Sequence, residues 1–238
     1  MRLAIETATD RASVALGGAA GNTVERELPG ARRHAAGLLP MIEALLREAG
    51  VTLDAVTGLV LSDGPGSFTG LRVGAAVAKA LVQARGLPLW TAPSLLVRAA
   101  GVAREGRTVL AVTDALRGEV YAAAYRFEAD RIHQSLAPSV YHPERLVAGP
   151  RAPDLLVGQL SDSAAAMLEA WAGSRIIGPP DGAPHARILL DLVHRPGGAI
   201  RVEAVQGWEP NYGRPAEAQA RWETAHGRPL PDSVGSSG

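Results

Sequence analysis

The sequence contains no cysteine, which excludes disulfides, thiolate metal sites, cysteine nucleophiles and thiol redox switching together. An excess of charge of either sign is also missing, because 24 basic residues stand against 24 acidic ones and the formal net charge is zero. A chain balanced in this way is not built to grip a phosphate backbone by bulk electrostatics, although local basic patches stay open. No apolar run approaches the roughly 18 residues of a membrane-spanning helix, and Glu6 interrupts the first residues before any leader-like stretch. The expectation is a cytoplasmic chain with no secretory leader and no membrane association. Lysine occurs only at position 79 and asparagine only at 22 and 211. That bias fits a GC-rich coding genome and heat tolerance, and it is silent on function.

What is present is enough apolar material for a core: 47% of the 238 residues are hydrophobic and 20% charged, a composition that folds. Leu3-Ala4-Ile5 and Ser13-Val14-Ala15-Leu16 read as two short strands around a polar turn, with a third strand before Leu28. A long helix is predicted over Arg32–Ala49 with Gly50 as its stop, then a buried strand at Gly58–Ser62 and a second helix at Ser67–Gln83. A strand at Leu87–Trp90 and a helix at Pro93–Arg104 complete a β-β-β-α-β-α-β-α series, closed by the linker signal Arg104-Glu105-Gly106-Arg107. Thr108–Val112 and Val120–Phe127 open a second unit as strands. From Ala137 onward proline and glycine crowd the sequence, and only Ser161–Trp171 and Ala183–His194 stand out as helices. The expected organisation is therefore an α/β chain with a first domain over 1–104, a smaller one over 105–207 and a tail over 208–238, partly disordered and packed back on the first domain.

The most distinctive segment is Ser62-Asp63-Gly64-Pro65-Gly66-Ser67-Phe68-Thr69-Gly70-Leu71-Arg72-Val73-Gly74, between a strand and a helix. Two readings are open. A glycine-rich strand-to-helix turn presents backbone N–H groups and a helix N-terminus to an anion; the same residues also make a tight turn capped by Ser67, with Gly74 and Ala78 letting a neighbouring helix approach. The known phosphate loops do not fit. Walker A needs lysine where Leu71-Arg72 follow Gly70, and the dinucleotide pattern needs glycine where Thr69 stands. Ile5-Glu6-Thr7-Ala8-Thr9 occupies the first β-turn, where actin-like ATPases carry a phosphate-binding D-x-G-T. Glu6 replaces the aspartate and Ala8 the glycine that lets backbone approach phosphate, so a degraded nucleotide turn is expected. His34 opens the first long helix, but a metal pair at i and i+4 fails because position 38 is leucine, and the other histidines show no ligand spacing. No G-x-S-x-G elbow is present.

The first helix carries two apolar stripes, Leu38, Met41, Leu45 and Ala49 beside Leu39, Ile42 and Leu46, wider together than the roughly 100° one packing face requires. One stripe covers the sheet; the other calls for a partner, a second copy or the second domain. Gly74, Ala75 and Ala78 on the next helix supply a close-packing surface beside it.

Ala4 through Thr9, His34 through Leu38-Leu39-Pro40-Met41-Ile42, and the G-P-G-S-F-T-G-L-R block resemble the TsaB (YeaZ) family. Asp114-Ala115-Leu116-Arg117-Gly118-Glu119-Val120-Tyr121 and Pro210-Asn211-Tyr212-Gly213-Arg214 resemble its second-domain opening and its C-terminal P-x-Y-x-R. The resemblance spans most of the chain in order. It implies an actin-like (ASKHA, ribonuclease H-like) two-domain fold with mixed sheets flanked by helices and a reduced second domain. It also implies a part in making threonylcarbamoyladenosine at position 37 of tRNAs that read codons beginning with A. In that pathway the transfer belongs to TsaD, a metal-binding paralogue with H-x-x-x-H on the first helix, where this chain has His34 and Leu38; TsaE is the ATPase.

The role implied is thus a non-catalytic platform with no metal or catalytic residue. It would form a heterodimer with a TsaD-like protein, work with a TsaE-like ATPase, self-associate as a homodimer, and meet tRNA indirectly. The partner-binding residues implied on the first two helices are His34, Leu38, Met41, Ile42, Leu45, Leu71, Gly74, Ala75 and Ala78. Glu6, Thr7 and Thr9 would be a vestigial nucleotide turn, and Gly64, Pro65, Gly66, Ser67, Thr69, Gly70 and Arg72 the family loop. The chain would hold no cofactor of its own, ATP or ADP being met only at the complex interface near Asp114, Arg117 and Glu119. Arg32 and Arg33 are the residues to ask about for tRNA. The competing expectations are an ATP-dependent small kinase of the actin-like class and a glycoprotease-like peptidase.

Overall fold

The structure, a computed structural model, describes residues 1–17, 23–30, 34–115, 117–149 and 151–213. Strands β1 (Arg2–Glu6), β2 (Arg11–Gly17) and β3 (Val24–Pro29) form an antiparallel meander, and helix α1 (His34–Glu48) leads to β4 (Gly58–Ser62), parallel to β1. Helix α2 (Phe68–Arg85) returns the chain to β5 (Leu89–Ala92), parallel to β4, and α3 (Ser94–Val102) follows. The pattern then repeats. Strands β6 (Thr108–Asp114), β7 (Val120–Phe127) and β8 (Ile132–Tyr141) make a second meander. Helix α4 (Pro143–Val147) precedes β9 (Leu155–Gln159), α5 (Asp162–Ala172) and β10 (Ile176–Ile177), with β6, β9 and β10 parallel. Helix α6 (Ala186–Leu192) and β11 (Ile200–Arg201) end the regular elements among the described residues.

The sheet orders are β11-β5-β4-β1-β2-β3 and β10-β9-β6-β7-β8. Apart from β11, the two sheets carry the same order and the same strand directions, which is the two-unit actin-like fold expected.

Period-two alternation assigns each strand face to a different core. On β1, Leu3 and Ile5 join α1 and α2 in an outer core with Leu38, Leu45, Leu59 and Leu61, while Ala4 faces inward. On β6 and β7, Val109, Ala111, Ala123, Tyr125 and Phe127 face the same central core, and Leu110, Val112, Val120 and Ala122 face α5. Between the sheets lie α3 and α6, whose Leu95, Val97, Leu189 and Leu192 are buried. Alanines at 4, 15, 92, 111 and 123 on the sheet faces that meet them keep those faces flat enough for both helices to sit close.

The helices do not respect the division near residue 104. Helix α3, from the first segment, packs on β6, β7 and β9; α6, within 105–207, packs on β1, β2 and β4, and β11 joins the first sheet beside β5. The reason lies in α3, where Ser94 through Ala99 are all buried, so its first two turns need cover on every side and only its C-terminal end at Gly101 reaches water. Strand β8 was not expected, because Pro138 breaks the pattern. It is an edge strand, and the irregular register against Ala122–Ala124 accommodates the proline where no ladder N–H is needed. No helix among the described residues is long and apolar enough to cross a membrane.

Candidate functional site

The turn after β1 and the loop after β4 meet at the C-terminal edge of the first sheet, where they and the start of α2 form one packed unit. The Ser67 amide donates to the Ala8 carbonyl at 2.7 Å, and the Ser67 hydroxyl caps α2 by accepting from the Gly70 amide at 3.2 Å. Gly66, Gly70 and Gly74 recur every fourth residue and present one side to the turn. A Cβ at Gly66 would overlap the Ala8 carbonyl, one at Gly70 the Thr7 carbonyl, and one at Gly74 the Thr7 hydroxyl. Gly64 and Pro65 shape the preceding corner, where the Gly64 amide donates to Ser94 Oγ at 3.1 Å and the Ser94 backbone amide donates to the Gly64 carbonyl at 2.7 Å. Of the two readings the sequence left open, this geometry is that of the tight capped turn. The close neighbour is the first β-turn rather than another helix.

The turn itself is occupied from within. The Ala8 amide, which in a phosphate-binding turn would face the ligand, donates to Glu6 Oε1 at 2.7 Å. Thr9 Oγ1 is engaged with the Arg11 backbone on both sides, accepting from its amide at 3.2 Å and donating to its carbonyl at 3.0 Å. Glu6 is fully buried, and burial, only partly offset by Ser62, the Ala8 amide and Arg98, pushes its carboxyl up to about 7. Asp63 beside it is raised to about 6, again chiefly by burial, with Thr91 opposing. A phosphate placed here would find the Ala8 amide already taken by Glu6 and the Thr7 and Ala8 carbonyls in the path of the α2 glycines.

Behind the turn a cavity of about 20 Å³ separates the two units, with Thr9 and Gly66 on one side and Thr113 on the other, a space for a single water. Arg98 reaches into it from α3, buried, and donates from Nη1 to the Gly182 carbonyl at 2.7 Å. Burial lowers its pKa, with Glu6 opposing. Sequence reasoning missed Arg98. The signal was there, a single charge inside the apolar run Ser94-Leu95-Leu96-Val97-Arg98-Ala99-Ala100.

The residues named for partner binding are brought together, but inward. Leu38, Met41, Ile42 and Leu45 of α1 and Leu71, Gly74, Ala75 and Ala78 of α2 are all buried in this chain's own outer core or against its first turn. The double stripe on α1 is wide because it covers both β2–β3 and α2. The side these helices leave open carries Leu39, 55% exposed, with Pro40 and Glu43 on α1, and Thr69, Ala76 and Ala80 on α2, flanked by half-buried Val73 and Val77. The His34 side chain lies outside the described residues, as do Arg32, Arg33, Leu116 and Arg214.

Asp114, Arg117 and Glu119 surround the β6–β7 turn, across the small cavity from Thr9. The Ala115 amide donates to the Glu119 carbonyl at 2.9 Å, and Arg117 holds φ 55° before Gly118 at φ 78°. Asp114 and Arg117 are exposed, and Glu119 Oε1 lies 3.5 Å from His142 Nε2.

The described end of the tail crosses this region. The Asn211 amide donates to the Asp63 carbonyl at 2.7 Å, the Tyr212 ring lies 4.7 Å from that of Phe68, and Gly213 lies against Tyr121 and Pro65. Elsewhere, Glu25, Glu27 and His185 bring ligand atoms within 4.8 Å of one another. Each carboxylate already holds an arginine, Arg187 on Glu25 and Arg11 on Glu27, both at 2.6 Å, so the group reads as an ion-pair lattice pinning α6 to β3.

Comparison with known proteins now bears on this geometry. Residues 29–167 match the family model described as "TsaD: tRNA N6-adenosine threonylcarbamoyltransferase". The TsaB protein of Haemophilus influenzae, named for tRNA threonylcarbamoyladenosine biosynthesis, is 30% identical over 199 residues, covering 80% of this chain and 83% of that protein. The chain belongs to the TsaB (YeaZ) family. The Escherichia coli TsaB is 39% identical over 145 residues, a span of 60% of this chain and 62% of the relative. Among solved structures, YeaZ from Pseudomonas aeruginosa superposes with a TM-score of 0.68 at 32% identity, covering 81% of this chain and 89% of the other. A second, described as an uncharacterized protein with similarity to the peptidase YeaZ from the same organism, gives 0.72 at 31% identity, covering 90% and 99%. Membership ties the chain to the biosynthesis of threonylcarbamoyladenosine in tRNA.

Proposed function

We propose that this protein is a non-catalytic platform subunit that docks a TsaD-type transferase, with a TsaE-type ATPase, for threonylcarbamoyl transfer to adenosine 37 of tRNAs reading codons that begin with A. The observation that carries the reading is the filled first turn. Glu6 occupies the Ala8 amide, and Gly66, Gly70 and Gly74 bring α2 flush against Thr7 and Ala8, which argues against an ATP-dependent kinase in this cleft. Leu38, at the position of the second metal ligand in the H-x-x-x-H of TsaD, is fully buried in the outer core. Ser67 Oγ is committed to a helix cap, which argues against peptidase chemistry there. Nucleotide, where it takes part, would be met at the joint interface by the turn of Asp114, Arg117 and Glu119.

The docking face is the exposed ridge of α1 and α2, centred on Leu39 and Ala76 and not on the buried residues beneath. A second copy would use the same ridge when the partner is absent. The test is size-exclusion chromatography with light scattering on the chain mixed with the TsaD-type protein from the same genome, followed by a reconstituted transfer assay with the ATPase. Wild type is expected to form the heterodimer and stimulate transfer, and Leu39→Glu to fold but do neither. Transfer that is equally fast without this chain would refute the reading.

A further inference from the structure

Arg72 is exposed one turn into α2. Its guanidinium carbon sits 4.2 Å from the centre of the Phe68 ring and 5.8 Å from that of Tyr212, while the two rings lie 4.7 Å apart at 48°. Among the described residues no acidic group pairs with it. The next cation on that flank, Lys79, is already bound to Glu209 at 2.8 Å. Phe68, itself 39% exposed, Arg72, Ala76 and Ala80 follow at four-residue spacing, so Arg72 lies one turn before the exposed Ala76 and Ala80 of the open side.

An arginine stacked on a ring keeps the N–H fork at its edge free, and that fork matches a carboxylate in two parallel hydrogen bonds. The rings also fix the side chain before a partner arrives, so less rotamer entropy is lost on association. We propose that Arg72, shelved on Phe68 and Tyr212, is the electrostatic anchor of the docking face and receives an aspartate or glutamate side chain of the TsaD-type partner. The inference rests on the platform reading and adds the chemistry of the contact. A nucleic-acid role is disfavoured by the surroundings. Phosphate backbones are held by several cations acting together, whereas among the described residues the next cation on this flank, Lys79, is already paired, and the net charge of the chain is zero.

The experiment measures affinity between the full chain and the purified TsaD-type protein by calorimetry at several salt concentrations, with wild type, Arg72→Ala, Arg72→Lys, Phe68→Ala and Leu39→Glu. Arg72→Ala is expected to weaken binding about tenfold or more and to flatten the salt dependence. Arg72→Lys should recover little of the loss, because lysine has neither the fork nor the stacking plane. Phe68→Ala should weaken binding while the salt dependence persists. Wild type that fails to bind at all would overturn the platform reading itself. Wild type that binds, is weakened by Leu39→Glu and is indifferent to Arg72→Ala would overturn only the anchor. Unchanged partner affinity with reduced retention of unmodified tRNA by the Arg72→Ala complex would reassign the residue to RNA and overturn the proposal equally.

Discussion

Glu6 offers the most direct quantitative check on the closed turn. Its carboxyl is fully buried and shifted from 4.5 to about 7, mainly by desolvation. The folded chain therefore holds a proton that the unfolded chain releases two to three pH units lower. The stability contributed by that proton is fully present below about pH 4.5, declines as pH rises, and is gone above about 7. A shift of this size corresponds to about 3 kcal/mol between the two ends of the window. Glu6→Gln copies the protonated shape, keeps an oxygen for the Ala8 amide and removes the titration. Urea unfolding at half-unit steps from pH 5 to 8 should show the variant close to wild type at pH 5 and more stable by about 2–3 kcal/mol at pH 8. Asp63 titrates with the same sign, between 3.8 and about 6, but it is common to both proteins and drops out of their difference. A gap that does not change with pH, or a variant less stable than wild type at pH 8, would refute the buried, only partly compensated carboxyl and with it the picture of a turn closed from within.

Three further outcomes follow from the same packing. Gly70→Ala should cost about 2–3 kcal/mol or more in urea unfolding, because its Cβ meets the Thr7 backbone carbonyl and overpacking against backbone cannot relax; Gly101→Ala, a helical glycine with nothing within 4 Å, is the control and should stabilise by about 0.5 kcal/mol. Arg98→Ala removes the buried cation beside Glu6 and the bond to Gly182, so it should destabilise by about 3–5 kcal/mol and move the pH-dependent loss of stability to higher pH. Leu38→Glu should unfold the chain, since Leu38 is 0% exposed, whereas Leu39→Glu, at a position 55% exposed, should change the unfolding free energy in urea by no more than the about 0.5 kcal/mol typical of surface changes.

Much of the first unit could be read from spacing alone. Alternation at Leu3–Ile5 and Ser13–Leu16, the run Gly58–Ser62 and the helix Ser67–Gln83 fall within two or three residues of the elements observed, because in each case local pattern and tertiary burial agree. The Ser67 cap was legible for the same reason. The second unit was less so. Pro138 hid β8, whose position at a sheet edge is a tertiary fact, and the two-residue strands β10 and β11 carry no periodicity to detect. Which stripe of α1 would be covered was also out of reach. Leu38 and Leu39 are chemically alike, and only the placement of β3 and α2 sends one to 0% exposure and the other to 55%. The buried partners Arg98, Asp63 and Thr91 come from α3, the loop after β4 and β5, and no local pattern joins them.

The family block makes physical sense once its glycines are separated by role. In a phosphate loop, glycine lets backbone amides approach an external anion. Here Gly66, Gly70 and Gly74 let a helix approach the chain's own turn, and the amide at Ala8 answers to Glu6. The same residue type thus converts an open ligand turn into a closed structural joint. That joint fixes α2, because its N-terminus is held by Ser67 on Ala8 and its flank by Trp208 through Tyr212, with Lys79 on Glu209 and Arg72 on Phe68 and Tyr212. A helix anchored at its first turn and along one flank presents its remaining ridge in a defined orientation, and docking onto a fixed ridge loses less freedom than docking onto a mobile one. Loosening the joint at Gly70 or Glu6 should therefore weaken partner binding through α2 even though neither residue lies on the ridge.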